Sequence, residues 1–267
     1  TGAMPLAEGS EDLSQARIGV IADDLTGALD TAGAFASQGL RSRVLTGPSD
    51  KIDARYDGDV VCANTQTRNV DAALAIAPTH RAAMELIEAG WSRLYKKVDS
   101  TARGNLAAEC RAVMDAQEAQ AAIVCPAFPR MGRTVVNGIL MVDGAPVTRS
   151  IEGSDDLSAV SSDSLVELMT LIKDLTGGLL PLSVVRQGVD AIRAKVDALM
   201  NQDYNAIVVD AETDSDLQTI AKYAMGCSDY LLAGSAGLAY AMGESSDREG
   251  GKAIADVRSN LPVVIIS

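Results

Sequence analysis

Short runs of branched aliphatic residues alternate along this chain with longer stretches of helical periodicity, and that alternation constrains the fold more than any single motif. Strands are predicted near 17–22, 42–46, 58–63, 93–98, 121–125, 182–186, 206–210 and 229–233, and helices near 27–39, 69–89, 104–118, 162–173, 187–200 and 214–225. Repeated strand–helix units imply an α/β fold: a twisted, mostly parallel sheet with helices on both faces, a Rossmann-like three-layer arrangement. Aromatic residues make up only 3% of the chain, so the core must be filled by Ala, Val, Leu and Ile, which suits strands buried on both faces. One segment breaks the alternation. Thr134 to Thr148, with Gly138 and Asp143-Gly144 between β-rich runs, reads as a hairpin projecting from the sheet, placed to wall a pocket or to join a homodimer.

At 267 residues and 47% apolar content the chain can bury one sizeable domain, or one and a fragment. No apolar run approaches the roughly 20 residues that span a bilayer, so no membrane partner is expected. The formal charge of −13 opposes nonspecific nucleic-acid binding, which rests on phosphate neutralisation by Lys and Arg. Cys62, Cys110, Cys125 and Cys227 lie far apart without metal-ligand spacing, and free thiols of a cytoplasmic protein are expected. His80 is the only histidine and reads as a surface residue, which leaves Ser-His-Asp and Cys-His chemistry without support. A P-loop is absent from the sequence.

Two junctions concentrate the polar chemistry. In Ile18-Gly-Val-Ile-Ala-Asp-Asp-Leu-Thr-Gly-Ala-Leu-Asp30 an apolar strand runs into Asp23-Asp24 just before a helix. Open α/β sheets bind ligands at such carboxyl ends. One aspartate suffices for a helix cap, and there are two. In Tyr95-Lys-Lys-Val-Asp-Ser-Thr-Ala-Arg-Gly-Asn105 three cations, a carboxylate, two hydroxyls and an amide crowd a second strand-to-helix junction, as a site for a small polyhydroxylated anion requires. Residues 96 to 133 hold six cations against four carboxylates, so positive charge gathers where the motifs are. Gly234-Ser-Ala-Gly237 follows a short strand, where its small residues can either cradle phosphate or permit close helix-to-sheet packing.

The blocks Ala22-Asp-Asp-Leu-Thr-Gly-Ala28 and Lys96-Lys-Val-Asp-Ser-Thr-Ala-Arg-Gly-Asn105 resemble the two signature motifs in the amino-terminal half of the four-carbon acid sugar kinases. Further matches in the same order are Asn64-Thr-Gln-Thr-Arg68, Cys125-Pro-Ala-Phe-Pro129 continuing to Gly138, Val209-Asp-Ala-Glu-Thr-Asp214 and Ala233-Gly-Ser-Ala-Gly-Leu-Ala239. Ala102 stands where the family usually has a bulky aliphatic, and Arg130-Met131 where it has small residues. These departures spare the charged groups and bear on which sugar acid is bound.

The resemblance implies phosphoryl transfer from MgATP to the terminal hydroxyl of threonate, erythronate or an oxo-tetronate. On that footing Asp24 or Asp23 orients the hydroxyl and accepts its proton. Arg68, Lys97, Val98, Asp99, Ser100 and Arg103 form the substrate site, while Gly234, Ser235 and Ser267 face the nucleotide. ATP and Mg2+ are expected mainly on a carboxy-terminal half. The expected organisation is a disordered tail at 1–16, a substrate domain at 17–243, a linker at 244–260, and at 261–267 the first strand of a nucleotide domain, with Ser267 opening its loop. Two rival readings remain: a nonenzymatic sugar-acid sensor using the same pocket, and a Rossmann-like oxidoreductase. Against the latter, the first turn carries Asp23-Asp24 in place of a glycine fingerprint.

Overall fold

The computed structural model describes residues 17–47, 50–52, 55–91, 93–154, 158–227 and 229–245. The strands, in chain order, are β1 (Ile18–Ala22), β2 (Ser42–Leu45), β3 (Val60–Asn64), β4 (Arg93–Lys97), β5 (Ala121–Cys125), β6 (Arg133–Val136), β7 (Ile139–Val142), β8 (Ala145–Pro146), β9 (Gly177–Leu180), β10 (Ala206–Val209) and β11 (Tyr230–Gly234). Eight of them form one sheet in the order β2-β3-β1-β4-β11-β5-β10-β9, with every pairing parallel. Strands β1, β3, β5 and β10 are buried along their whole length, which is why they read as unbroken aliphatic runs.

The helices are α1 (Leu25–Ser37), α2 (Ala72–Glu88), α3 (Leu106–Gln117), α4 (Leu165–Met169), α5 (Leu182–Val185), α6 (Val189–Met200), α7 (Asp214–Met225) and α8 (Ala236–Glu244). One layer places α1 against α8, α8 against α7 and α7 against α6; α2, α3 and the short α4 form the other. The few aromatics sit at the seams. Phe35 of α1 meets Tyr95 of β4 edge-on at 6.4 Å, Tyr56 stacks on Trp91, and the Arg17 guanidinium also lies over the Trp91 ring.

The chain leaves β1 for the edge strand β2, comes back through β3 beside β1, and then crosses to β4 on the other side of β1. This reversal opens a crevice at the carboxyl ends of β1 and β4, where doubly wound sheets take ligands.

Three predicted elements are corrected. The strand expected at 182–186 is the helix α5, and the edge strand lies earlier, at Gly177–Leu180. Its two glycines read as breakers, yet contact demands them: a Cβ at Gly177 would lie 2.7 Å from the Val166 carbonyl oxygen, and one at Gly178 would lie 3.1 Å from Tyr204 Cβ. Pro181 then caps α5. The helix expected over 162–173 spans only Leu165–Met169, because Thr170 bonds back to the Glu167 carbonyl and Asp174 turns the chain at φ +70°. The projecting hairpin is a three-stranded antiparallel sheet. Its main turn is Asn137-Gly138, with both φ values positive as a type I′ turn requires, and Asp143-Gly144 adds the two-residue β8.

Helix α8 continues to Glu244, across the expected domain boundary. The tail at 1–16, the remainder of the linker and the strand at 261–267 lie outside the described residues. All four cysteines are free. No helix among the described residues is long and apolar enough to cross a membrane.

Candidate functional site

Strand register builds the site. Ala22 pairs with Asn64 on one side and Lys97 on the other, and Lys97 pairs with Gly234. The residues that follow, Asp23, Thr65, Val98 and Ser235, therefore leave the sheet side by side. Asp24 is extended, and its Oδ1 accepts the Gly27 N–H at 2.8 Å, so it is the cap that starts α1. Asp23 does different work. Its carbonyl accepts the N–H groups of Thr67 and Arg68 at 2.9 and 3.1 Å, which folds the loop after β3 over the crevice. Its carboxylate holds Arg68 in a two-pronged pair, with Nε on Oδ2 and Nη2 on Oδ1.

Arg68 is shared further: Nη2 lies 3.2 Å from Asp24 Oδ1, and Nη1 lies 3.5 Å from Asp99 Oδ1. Asp99 in turn accepts from Thr101 and from Arg103, whose Nε is 3.0 Å from Oδ2 and whose Nη2 is 3.1 Å from Oδ1. The turn that permits this passes through Ala102 at φ +58° and Gly104 at φ +85°. A Cβ at Gly104 would sit 2.8 Å from Asp23 Oδ2 and 2.9 Å from Arg68 Cδ, so glycine is required on two counts.

Lys97 stands apart from this lattice. It is 5% exposed, its Nζ makes no hydrogen bond or ion pair among the described residues, and it lies against Gly27, where a Cβ would be 2.8 Å away. Burial lowers its pKa from the usual lysine value, and the charges of Asp23, Asp99 and Asp24 recover only part of the loss. The carboxylates move the other way. Burial pushes Asp23 and Asp99 up, but the Arg68 hydrogen bond to Asp23, and for Asp99 the Arg103 hydrogen bond with the Arg68 charge, hold both below the usual range. Ser100 is half-buried on the turn, with its hydroxyl bonded to no described residue, while Val98 is buried and donates its N–H to the Gly234 carbonyl.

Beneath the crevice is a group the sequence reading passed over. Lys96 and Glu109 form a buried ion pair at 2.8 Å, and the other Glu109 oxygen accepts from Thr67 Oγ1 at 2.7 Å. The available signal was a lone glutamate on the otherwise apolar face of α3 that carries Leu106, Cys110 and Val113.

Gly234 and Ser235 are accounted for by packing. A Cβ at Gly234 would lie 2.6 Å from Leu238 Cδ2 and 2.7 Å from the Tyr95 hydroxyl. The Ser235 hydroxyl, fully buried, donates to the Ala127 carbonyl and accepts from the Gly237 N–H. Ser267 lies outside the described residues. The Val209–Asp214 block is likewise structural: Asp210 accepts three backbone N–H groups, from Asn137, Gly138 and Leu182, which pins the small sheet to the large one. Thr213 and Asp216 close a capping box on α7. Among the described residues no group of three or more His, Cys, Asp or Glu is placed to hold a metal ion.

Fold and site together define a doubly wound α/β domain with a charge-lined crevice at its switch point. The family model described as a sugar-binding N-terminal domain matches residues 18–242, and the chain belongs to that family, the amino-terminal half of the four-carbon acid sugar kinases. It is 35% identical to a D-threonate kinase of Salmonella typhimurium over 225 residues, covering 84% of this chain and 52% of the relative. It is 33% identical to a 3-oxo-tetronate kinase of Pseudomonas fluorescens, covering 87% and 55%. Among solved structures, a Haemophilus influenzae protein superposes with a TM-score of 0.78 at 28% identity, covering 84% of this chain and 55% of that one. A Bordetella bronchiseptica domain of unknown function, solved as a domain-swapped dimer with bound citrate, superposes at 0.73 with 32% identity, covering 85% and 55%. The chain spans about half the length of the curated relatives it matches.

Proposed function

We propose that this chain is the substrate-binding half of an ATP-dependent kinase that phosphorylates the terminal hydroxyl of a four-carbon sugar acid: threonate, erythronate or an oxo-tetronate. The observation that carries the reading is Lys97, a buried ammonium with no described partner beside the N-terminus of α1, in a family whose named members are sugar-acid kinases. Asp23, Asp99 and Asp24 act on Lys97 by charge, but none bonds its Nζ, so an incoming carboxylate finds open donors there. Citrate, bound by the Bordetella neighbour, is a small hydroxy acid of the same chemical kind. A homodimer is proposed on the strength of that neighbour's dimer.

The geometry separates the two aspartates. Both oxygens of Asp23 are taken by Arg68, whereas Asp24 commits Oδ1 to the α1 cap and to Arg68 and keeps Oδ2 available. Asp24 is accordingly assigned to orient the acceptor hydroxyl and take its proton, and Asp23 to hold Arg68. Ser100 supplies a hydroxyl contact, and Arg103 steadies Asp99 at the rim. Phosphoryl transfer depends chiefly on positioning and charge stabilisation, and a rigid sheet end supplies the positioning.

The described residues offer no donor set that fits MgATP: the crevice carboxylates are engaged by arginines and Ser235 is buried in packing. The nucleotide is therefore assigned to the length of the relatives that this chain does not span, and no step is routed through it here. The rival reading is a nonenzymatic sugar-acid binding module that uses the same Lys97 and Arg68 crevice. A mass-spectrometric time course with MgATP and a panel of four-carbon acids, run on the full-length protein, separates the two. The kinase reading expects phosphorylated product, its loss in Lys97→Met, and an Asp24→Asn variant whose kcat falls more than its KM rises. Calorimetric binding without any turnover would leave the binding module.

A further inference from the structure

A buried ion pair is weak evidence for stability, since desolvating two charges costs several kcal/mol that their attraction only partly returns. Lys96 and Glu109 are 1% and 2% exposed and lie on the face of β4 away from Lys97, close enough to Asp23 for their charges to act on it. Their hydrogen bonds run to the segments that carry Lys97 and Arg68. Lys96 Nζ donates to the Lys97 carbonyl at 2.5 Å. Glu109 accepts from Thr67 Oγ1, and Thr67 precedes Arg68 in the loop whose N–H groups bind the Asp23 carbonyl. Thr67 Oγ1 also lies 2.7 Å from Thr65 Oγ1, which is 3.0 Å from the Ala22 carbonyl at the end of β1. Asn105, at the start of α3, holds the Thr67 carbonyl from below.

We propose that Glu109, acting through the Thr67 hydroxyl and paired with Lys96, is a positioning residue that sets where Arg68 and Lys97 present their charges to the ligand. The proposal rests on the sugar-acid reading for its ligand but not for its geometry. Thr67 has one hydroxyl proton. With that proton on Glu109, Thr67 can only accept from Thr65, whose own single proton serves either Thr67 or the Ala22 carbonyl, so the Thr67–Glu109 bond is the fixed link of this relay. Removing the Thr67 hydroxyl while keeping its shape breaks this relay and leaves the Lys96–Glu109 pair intact.

The test uses Thr67→Val, with Thr67→Ala in its place should the valine variant not fold, and Thr67→Ser as the conservative rescue. Two quantities are measured on the folded proteins: the side-chain Nε–H resonance of Arg68 in arginine-labelled protein, assigned with Arg68→Lys, and the calorimetric affinity for D-threonate. The expected result is a displaced Arg68 resonance with affinity about tenfold weaker, the loss of one charged hydrogen bond's alignment, and both restored in Thr67→Ser. Thr79→Val removes a buried, unpartnered hydroxyl on α2 and should move neither. An unmoved Arg68 resonance in a folded Thr67→Val protein overturns the proposal, and so does a moved resonance with unchanged affinity. If the unmutated protein binds no four-carbon acid, the sugar-acid reading falls and the resonance alone decides whether Glu109 positions Arg68.

Discussion

Alanine at Gly104 separates the cost of backbone strain from the cost of disturbing the ion cluster. Gly104 has φ +85°, and Gly144, in the turn between β7 and β8, has φ +81°. Placing a Cβ on a left-handed residue costs roughly 1–2 kcal/mol, so both alanine variants share that loss. Only at Gly104 does the Cβ also collide, 2.8 Å from Asp23 Oδ2 and 2.9 Å from Arg68 Cδ, whereas nothing lies within 4 Å of one at Gly144. Neither neighbour is a free side-chain end, because each is held by the other. Displacing one charged hydrogen bond of the Asp23–Arg68 pair costs a further 1.5–3 kcal/mol or so. Gly104→Ala should therefore lose about 3–4 kcal/mol and Gly144→Ala about 1–2. The difference of about 2 kcal/mol corresponds to an extra fall of roughly 4–8 °C in Tm for a domain of this size. Urea titration at neutral pH gives the free energies, and calorimetry with a four-carbon acid gives the functional half: Gly104→Ala should lose affinity and Gly144→Ala keep it. Equal stability losses in the two variants would refute the reasoning, since the clash would then cost nothing.

Asp23 and Asp99 have folded pKa values below those of an unfolded chain, so each contributes stability that is complete above about pH 4 and is lost as pH falls through its folded value. Thermal midpoints measured from about pH 6 to about pH 2 should fall for the unmutated protein, and the gap to Asp99→Asn should narrow with the acid; a constant gap contradicts the pairing. Asp210→Asn replaces one of two oxygens that serve three N–H groups, and should cost about 2–3 kcal/mol with faster amide exchange at Gly138 and Leu182. Lys97→Met should abolish aldonate binding yet leave the unliganded protein about as stable, because it removes a buried ammonium whose desolvation the neighbouring carboxylates only partly offset; a large drop in Tm would show Lys97 to be structural.

Much of this fold was legible because the signals are local. The aliphatic run Ile18–Ala22, the cap at Asp24 and the small residues of α1 lie within a dozen positions of one another, and each obeys a rule that needs no distant partner. The edge strand Gly177–Leu180 was not legible, since its glycines are explained by Val166 and Tyr204, which the sequence does not mark as neighbours. The sequence likewise leaves Ser235 open between cradling phosphate and packing, and only the fold shows its hydroxyl donating to Ala127, 108 positions away.

The amino-acid sequence by itself determined the strand–helix alternation, the parallel sheet and the two junctions where charge gathers, because periodicity and capping act over a few residues. Tertiary structure alone decided that Asp23 is consumed by Arg68, 45 positions away, while Asp24 keeps an oxygen available, and that Glu109 sits under the crevice on Lys96. Strand order and register set those meetings, and the assembled sheet fixes them only when β1, β3 and β4 pair.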